Sequence, residues 1–419
     1  MADIKINNVE YNDVPRLDVP DQSGGVSSFY EVSGDLSITE NGTYDVKATE
    51  SVTVDVAGSG GLTWDDVVQG DAETITVSKT KDMGTYKTIP DHRFRGYTSL
   101  KNFKITDSNN YQIGAYAFNG DTSLETFDAP NCLKLGTNSF EGCSKLTEIN
   151  IPKCTELAGY SLKETALTEF SSDTVKLLSG YYTFSGTPLQ KVSLPKVTML
   201  NSSTFLGCKK LSELDLPAVT NIGESCFRNC ISLTSVSFPL VTSVSSSVFM
   251  DCTSLTKVSL PSVKIIYSYA FNKSPALTEL EAPKLTKLGS YCIVNSALEE
   301  LKFDSLTTIE TYACYANFSL KKIDLGSTGE GTIGSMAFYS NSKMSVLCLR
   351  AETVWTLSAR NAFNSTPIAS GTGYIYVPSA LVDSYKVATN WVTYANQFRA
   401  LEDYTVDGTI TGELDETKI

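Results

Sequence analysis

The chain has 419 residues, and its 34 Lys or Arg against 47 Asp or Glu give a formal net charge of −13 at pH 7. This negative charge disfavours nucleic acids and anionic membrane surfaces as partners. The single histidine, His92, disfavours catalytic triads, histidine general bases and histidine-rich metal sites. We therefore predict that the protein is not an enzyme and has no catalytic residue, no metal site and no cofactor.

The remaining composition fits an ordinary folded protein. No stretch reaches the roughly 18 apolar residues that span a bilayer, so no membrane insertion is expected. The opening MADIKINNVEYNDVP has no basic stretch followed by an apolar run, and it does not predict a secretory signal peptide. Ten cysteines are too dilute for a disulfide scaffold and are expected to be reduced thiols that pack as small hydrophobes.

The first hundred residues divide into three predicted segments. Short alternating stretches such as SFYEV, SITENGTYDV and SVTVDV predict a small β attachment module over residues 1–56. The residues AGSGG at 57–61 are predicted to be a flexible linker. Residues 62–99 are interpreted as the N-terminal cap of the repeats that follow, with a helix at TWDDVVQG and a strand at ETITVS.

A similar segment of about 22 residues recurs through residues 100–370. Two successive copies are LSELDLPAVTNIGESCFRNCIS and LTSVSFPLVTSVSSSVFMDCTS. The twelve copies open at Leu100, Leu124, Leu146, Leu167, Leu189, Leu211, Leu233, Leu255, Leu277, Leu298, Leu320 and Met344. A period of this length with an L-x-x-L-x-L core is the signature of a leucine-rich repeat. We predict a β-rich leucine-rich repeat solenoid of about twelve repeats, whose strands stack into a parallel sheet.

Positions within the repeat, counted from its opening leucine, have separate predicted roles. Positions 1, 4 and 6, which are Leu211, Leu214 and Leu216 in one copy, alternate into the core along a short strand. Proline at position 7 has no N–H for a ladder and should end that strand. Phenylalanine near position 17 and cysteine three residues later should also fill the core. They are Phe140, Phe205, Phe227, Phe249 and Phe271, and Cys143, Cys208, Cys230 and Cys252.

Residues 371–419 lose the period and are predicted to form a C-terminal cap of two short helices and a hairpin. Ser379 and either Thr389 or Asn390 are the candidate N-caps of the helices. The apolar residues with helical spacing are Leu381, Tyr385, Trp391, Tyr394 and Phe398. Asp407 and Gly408 predict a two-residue hairpin turn.

Residues 97–370 resemble the BspA-type bacterial leucine-rich repeats. The resemblance is carried by strand motifs that end in proline, such as INIP, VSLP and LDLP, and by the turn motif NIGESCFRNC. It implies a protein of the bacterial cell surface that adheres to host components.

The flanks resemble segments of phage and prophage structural proteins of Gram-positive bacteria. SITENGTYDVKATESVTVDVAGSGG, MADIKINNVEYNDVP and IYVPSALVDSYKVATNWVTYANQF carry this resemblance. It implies a phage virion protein of tail-fibre or head-decoration type, which folds in the host cytoplasm, leaves by lysis and displays the solenoid for adhesion to a host or mucosal surface. Other virion proteins would then bind the N-terminal module, and a homotrimer is one expected assembly. The alternative is a BspA-like bacterial cell-surface adhesin or protein-binding module.

Five tyrosines are the candidate binding residues. Tyr160, Tyr181, Tyr269, Tyr291 and Tyr312 are all counted at position 15 of their copies, so stacking should align them in two ladders along one flank. An exposed row of tyrosines could bind a surface protein or a glycan. The alternative is that these rings pack over the turn beneath them.

Three other sets of residues are predicted to be structural. Cys226 and Cys230 are four residues apart, but they occupy core positions of one copy and do not predict a metal pair. Cys132 and Cys154 share position 9 of neighbouring copies, so their thiols could touch. His92 precedes Phe94 by two residues, in the register where other copies have tyrosine, and is interpreted as a cap residue.

Overall fold

The computed structural model describes residues 74–76, 88–106, 108–326 and 329–404 with their side chains, and outside these ranges only the backbone of short strands. The chain forms two compact units, Met1–Val197 and Thr198–Ile419, and each is described by itself. The N-terminal helix predicted at TWDDVVQG and the Asp407–Gly408 turn lie outside the described residues.

Each repeat forms one coil with two short strands. The front strand takes positions 3–5, as in Ser235–Ser237, and it ends before the proline, as Pro239 shows. The back strand takes positions 11 and 12, as in Ser243–Val244. Both strands pair in parallel with the equivalent strands of a neighbouring coil. This arrangement confirms the predicted parallel-sheet solenoid.

The first unit contains the strand predicted at ETITVS, which is Thr74–Val77, and its ladder continues in parallel to Asn102–Ile105. Its front strands are Thr74–Val77, Asn102–Ile105, Thr126–Asp128, Glu148–Asn150, Glu169–Ser171 and Lys191–Ser193. Its back strands are Lys87–Ile89, Tyr111–Ile113, Cys132–Leu135, Glu156–Leu157 and Leu177–Leu178. The strands before them are Ile4–Ile6, Val9–Tyr11, Leu17–Pro20, Val26–Val32, Leu36–Ile38, Val46–Ala48 and Ser51–Val54.

The second unit repeats the same coil, and its front sheet continues beyond residue 370, where the sequence period stops. Its front strands are Glu213–Asp215, Ser235–Ser237, Lys257–Ser259, Glu279–Glu281, Glu300–Phe303, Lys322–Leu325, Val346–Leu349, Tyr374–Val377 and Phe398–Ala400. Its back strands are Met199–Leu200, Asn221–Ile222, Ser243–Val244, Ile265–Ile266, Lys287–Leu288, Thr308–Ile309, Thr332–Ile333 and Thr356–Leu357. A further pair, Phe271–Asn272 and Ile293–Val294, lies in the third side of two coils.

The predicted phenylalanines form stacked columns inside the coils. Phe205, Phe227, Phe249 and Phe271 are fully buried. The centroids of successive rings in this column are 5.4, 5.5 and 5.4 Å apart. Stacked aromatic pairs stabilise a fold beyond the area they bury, and truncation of a buried phenylalanine costs about 3–5 kcal/mol. These columns confirm position 17 as a core position.

The side chain three residues after the core phenylalanine, which we call position 20 also in the longer copies that open at Leu100 and Leu320, is a hydrogen-bond donor inside the core. The Cys230 thiol donates to the Phe205 carbonyl at 3.2 Å, and the Ser274 hydroxyl donates to the Phe249 carbonyl at 3.2 Å. The Asn341 side-chain amide donates to the Cys314 carbonyl at 2.8 Å. The cysteines are buried and free, as predicted, but they do not act only as small hydrophobes. They give a second donor to a carbonyl that also accepts a backbone N–H, as the Phe205 carbonyl does from Cys208 at 3.1 Å.

The C-terminal residues contain the predicted short helices with different caps. The helices are α Pro367–Ser370 and Val382–Val387, and 3-10 Ser379–Leu381, Trp391–Gln397 and Leu401–Asp403. The predicted N-cap role of Ser379 is wrong, because Ser379 is the first helical residue and Pro378 precedes it. Asn390 does precede Trp391–Gln397, but its side chain makes no cap hydrogen bond and donates instead to the Leu357 carbonyl at 2.7 Å.

Two further features complete this end of the chain. Tyr385, Trp391, Tyr394 and Phe398 are buried as predicted. The strands Thr405–Val406 and Thr409–Ile410 pair in antiparallel fashion, as the predicted hairpin requires. Among the described residues, no helix combines the length and the apolar character of a membrane crossing.

Candidate binding surfaces

Position 15 has a left-handed backbone in coil after coil, whatever side chain it carries. Its φ angle is +59° at Ser203, +55° at Ser225 and +59° at Ser247, and it is +63° at Tyr269. A non-glycine residue with positive φ is uncommon, so the recurrence shows that the turn of the coil imposes this angle. Because three successive coils use serine here, the turn does not need an aromatic side chain.

Tyr269, Tyr291 and Tyr312 occupy this position in three successive coils of the second unit and stack on one another. Their ring centroids are 5.2 and 4.8 Å apart, with interplanar angles of 3° and 13°. Tyr315 meets Tyr312 edge to face at 5.7 Å, and Tyr339 stacks on Tyr315 at 5.6 Å. We call these five residues the tyrosine stripe.

The tyrosine stripe lies half in solvent. Tyr269 is 40% exposed, and the other four rings are half-buried. Burial, followed by the neighbouring hydroxyls of Tyr312 and Tyr269, raises the pKa of Tyr291. Stacking covers the ring faces between Tyr269, Tyr291 and Tyr312, so these three rings can offer a partner mainly their edges and hydroxyl groups. The stripe therefore offers a row of hydrogen-bonding hydroxyls on an apolar support.

The first unit has a shorter stack, and the structure corrects one of its predicted members. Tyr160 stacks on Tyr182 at 4.9 Å, and Tyr182 has the left-handed φ of +58°. Tyr181, which is 58% exposed, lies outside the stack. The prediction was wrong by one residue because Tyr181 is an extra residue in the turn after Gly180. The ammonium of Lys163 lies 5.5 Å from the centre of the Tyr160 ring.

His92 occupies position 15 of its coil, as predicted from its spacing to Phe94. Its φ is +61°, and its ring stacks on Tyr116 at 4.8 Å with an interplanar angle of 4°. The Arg95 guanidinium lies 5.6 Å from the centre of the Tyr116 ring. The surroundings of His92 are those of a stacked turn residue.

The cysteine pairs are placed as structural residues. Cys226 and Cys230 are fully buried, and burial raises the pKa of Cys226 to about 12. The Cys132 thiol donates to the Lys134 carbonyl at 3.4 Å and the Cys154 thiol to the Glu156 carbonyl at 3.3 Å. The neighbouring Cys154 thiol together with burial raises the pKa of Cys132. Among the described residues, no group of three or more histidine, cysteine, aspartate or glutamate side chains is arranged to hold a metal ion.

The outward positions of the front strands carry cross-coil ion pairs in the second unit. Lys257 lies 2.7 Å from Glu279, and Lys322 lies 2.9 Å from Glu300. A buried pair lies beside them, in which the Arg350 guanidinium donates to both carboxylate oxygens of Asp324 at 2.7 and 2.9 Å. Exposed pairs of this kind contribute little to stability, so this part of the front face is a solvated charged surface.

Six copies of the BspA type leucine-rich repeat region model match residues 73–179, 179–296 and 264–373. The chain belongs to the BspA-type leucine-rich repeat family. This assignment agrees with the predicted family and with the parallel coils described above. No curated protein sequence matches the chain.

The solved structure of a similar bacterial protein agrees with this fold. A leucine-rich repeat protein from Bacteroides ovatus is similar at 16% identity and a TM-score of 0.54, covering 96% of this chain and 98% of that one. The pneumococcal vaccine antigen PcpA is similar at 15% identity and a TM-score of 0.45, covering 97% and 99%. Identities this low show the fold alone. Membership of this family supports the cell-surface alternative better than the virion hypothesis.

Proposed function

We propose that this protein is a non-enzymatic, surface-associated recognition module that binds a partner protein through the tyrosine stripe. Membership of the BspA-type family supports a binding role at a bacterial surface. The observation that carries the proposal is the choice of tyrosine at a position where the coil accepts serine. Since the turn does not need these rings, we infer that they serve a contact with a partner outside the coil.

The geometry favours a protein partner over a glycan. Sugars bind tyrosine mainly by lying on a ring face, and the faces within Tyr269, Tyr291 and Tyr312 are covered by one another. The exposed hydroxyls and edges suit a surface that supplies hydrogen bonds and apolar contacts, and tyrosine gives such contacts at low entropic cost. The pair Tyr160 and Tyr182 would form a second, smaller patch of the same type.

The test measures binding of the fluorescently labelled chain to washed cell envelopes from the source culture and from candidate host cells. The variant Tyr269→Phe/Tyr291→Phe/Tyr312→Phe keeps the stacked rings and removes the hydroxyl row, and we expect it to bind at least tenfold more weakly. Tyr181→Phe is the matched control, because Tyr181 is exposed but outside the stack. Equal binding by the triple variant and the native chain would refute the proposal.

Pretreatment of the envelopes identifies the partner class. Protease treatment should abolish binding to the native chain, whereas periodate oxidation of glycans should leave it unchanged. Loss of binding after periodate alone would replace the protein partner with a glycan.

The virion role of residues 1–56 remains a hypothesis based on the flanking motifs, as does a trimer formed through them. Mass spectrometry of purified, nuclease-treated particles and of washed envelopes separates the two locations. A stoichiometric amount in particles would support the virion hypothesis, and a signal confined to envelopes would support the cell-surface adhesin.

A further inference from the structure

The front sheet of the first unit opens between two neighbouring coils. Glu148–Asn150 pairs with Thr126–Asp128, and Glu169–Ser171 pairs with Lys191–Ser193, but no ladder joins Glu148–Asn150 to Glu169–Ser171 in the described part of the chain. The back strands of the same two coils stay paired, with Leu157 opposite Leu178. We call the opening between these two front strands the slot.

Hydrogen bonds close the slot at both ends. At one end the Ala166 N–H donates to the Leu146 carbonyl at 3.0 Å. At the other end the Thr174 hydroxyl lies within hydrogen-bond distance of two carbonyl oxygens of the preceding coil, Cys154 at 2.8 Å and Pro152 at 2.9 Å. The slot is therefore a bounded opening in a well-formed pair of coils. A groove of about 880 Å³ runs along the front face from Thr74 and is lined by both strands of the slot.

Both edges of the slot present backbone groups that have no ladder partner among the described residues. The Asn150 carbonyl accepts from the Ala129 N–H in the preceding coil. Because the backbone groups of successive strand residues point to opposite sides, the Ile149 N–H and carbonyl point into the slot. The Ser172 N–H donates to the Ser193 carbonyl in the following coil. By the same alternation, the N–H and carbonyl groups of Glu169 and Ser171 point the other way, into the slot. Unpaired strand edges bind further strands.

The slot is apolar at its base and acidic at its rim. Ile149 is half-buried there, whereas the equivalent Phe127 of the preceding coil is buried. Glu148, Glu169 and Asp173 are exposed lining residues, and each is without an ion-pair partner among the described residues. Elsewhere in the groove the Asp128 carboxylate is neutralised by Lys104 at 3.1 Å. The slot thus has an uncompensated negative charge.

We propose that the slot binds an extended polypeptide segment of a partner, by strand addition, in which lysine or arginine alternates with apolar residues. The alternation follows from strand geometry, because every second side chain would meet Ile149 and the others would meet the carboxylates of Glu148 and Glu169. The charge complementarity selects a basic segment over an acidic one. This surface is separate from the tyrosine stripe, and the proposal does not depend on the proposed function.

The test uses the full chain and a fluorescein-labelled hexapeptide, acetyl-(Lys-Val)₃-amide, followed by fluorescence anisotropy. We expect saturable binding that weakens with salt. The same peptide with N-methyl groups on its valines keeps the charge but loses N–H donors, and it should not bind. Glu148→Gln/Glu169→Gln should weaken binding about fivefold or more, and Glu330→Gln/Glu352→Gln is the matched control with the same change in net charge.

Hydrogen exchange locates the contact. Bound hexapeptide should slow exchange of the amides of Ile149, Glu169 and Ser171, with little change in the back strands Glu156–Leu157 and Leu177–Leu178. Equal binding of the N-methylated peptide would show attraction by net charge alone and overturn strand addition. Absence of saturable binding, or equal weakening in the Glu330→Gln/Glu352→Gln control, would overturn the slot as a peptide site.

Discussion

Replacing Asp121 by asparagine should remove a pH-dependent loss of stability from the first unit. Asp121 is fully buried at position 20, where Cys143 stands in the next copy. Its carboxylate makes no hydrogen bond of ordinary geometry within the described residues. Burial raises the pKa of Asp121 from 3.8 to about 8, and the N–H groups of Ser123 and Leu124 offset only part of that rise.

The direction of the pH effect follows from where the proton is held. The folded state keeps the proton of Asp121 up to about pH 8, whereas the unfolded chain loses it near the ordinary pKa of about 3.9. Between these values the folded state binds more protons, so raising the pH favours unfolding. The contribution is complete below about pH 4 and falls by up to about 1.4 kcal/mol per pH unit until about pH 8. From pH 5 to pH 8 the ceiling is about 4 kcal/mol, a large share of a domain's stability.

Urea denaturation at pH 5, 6, 7 and 8, followed by circular dichroism, measures this effect. Asparagine suits position 20, since Asn341 already stands there in a later copy and donates to a carbonyl. Asp121→Asn should therefore be more stable than the native chain at pH 8, and this advantage should shrink toward pH 5. Glu125→Gln is the control, because Glu125 is an exposed carboxylate nearby. Parallel pH profiles for the native chain and Asp121→Asn would refute the reasoning.

Substitutions at three further positions test the packing. Cys230→Ser should keep a second donor for the Phe205 carbonyl, whereas Cys230→Val leaves that carbonyl with only the Cys208 N–H and should lower the free energy of unfolding by about 0.5–1.5 kcal/mol, measured by urea denaturation; equal losses would contradict the donor role. Arg350→Met should cost up to about 3–5 kcal/mol at neutral pH, since it removes both guanidinium hydrogen bonds from the buried Asp324 and leaves only Lys322, at 3.5 Å, beside that carboxylate. Burial opposes the charge of Asp324, but the Arg350 hydrogen bond lowers its pKa overall, so the native pair should weaken as the pH falls below about 4. Tyr291→Ala should lose about 1–3 kcal/mol, because it removes two ring contacts, and a loss above this range in thermal unfolding would mean that the ring is core.

The sequence period predicted the coils because each position of the repeat has one physical role. Any stack of such units requires Phe227 to be buried and Pro239 to end a strand. In the structure Phe227 is buried, and the strand Ser235–Ser237 ends before Pro239. The donor role of Cys230 could also have been found in the sequence. Ser274, Asn317 and Asn341 occupy the same position, and these residue types share a hydrogen-bond donor and not an apolar surface.

The error at Tyr181 shows where counting from the opening leucine fails. The copy that opens at Leu167 has one extra residue after Gly180 and one fewer before Leu189, so its length of 22 residues conceals both changes. Either of the two adjacent tyrosines, Tyr181 or Tyr182, could then take position 15, and the sequence alone does not show which one does. In the structure Tyr182 takes this position, because it has the left-handed φ angle and stays in register with Tyr160.

The slot has a sequence correlate that becomes visible only with the structure. One residue, Ala166, separates position 20 of its copy from Leu167, whereas two residues separate Cys230 from Leu233. The shortened turn brings the Ala166 N–H onto the Leu146 carbonyl, and the front strand that follows leaves the ladder.

The other shortened turns test this explanation. The copy that opens at Leu298 also follows a shortened turn, and Glu279–Glu281 is likewise unpaired from Glu300–Phe303. Glu169–Ser171 and Lys191–Ser193 both follow shortened turns and remain paired, because the two strands are displaced alike. The break between Glu213–Asp215 and Ser235–Ser237 follows a full-length turn, and nothing in the structure explains it. A change from a full-length to a shortened turn therefore accompanies the opening at the slot and the opening before Glu300–Phe303, whereas the return to a full-length turn before Lys322–Leu325 leaves that pair joined. Insertion of one residue after Ala166 should restore the ladder there and abolish hexapeptide binding.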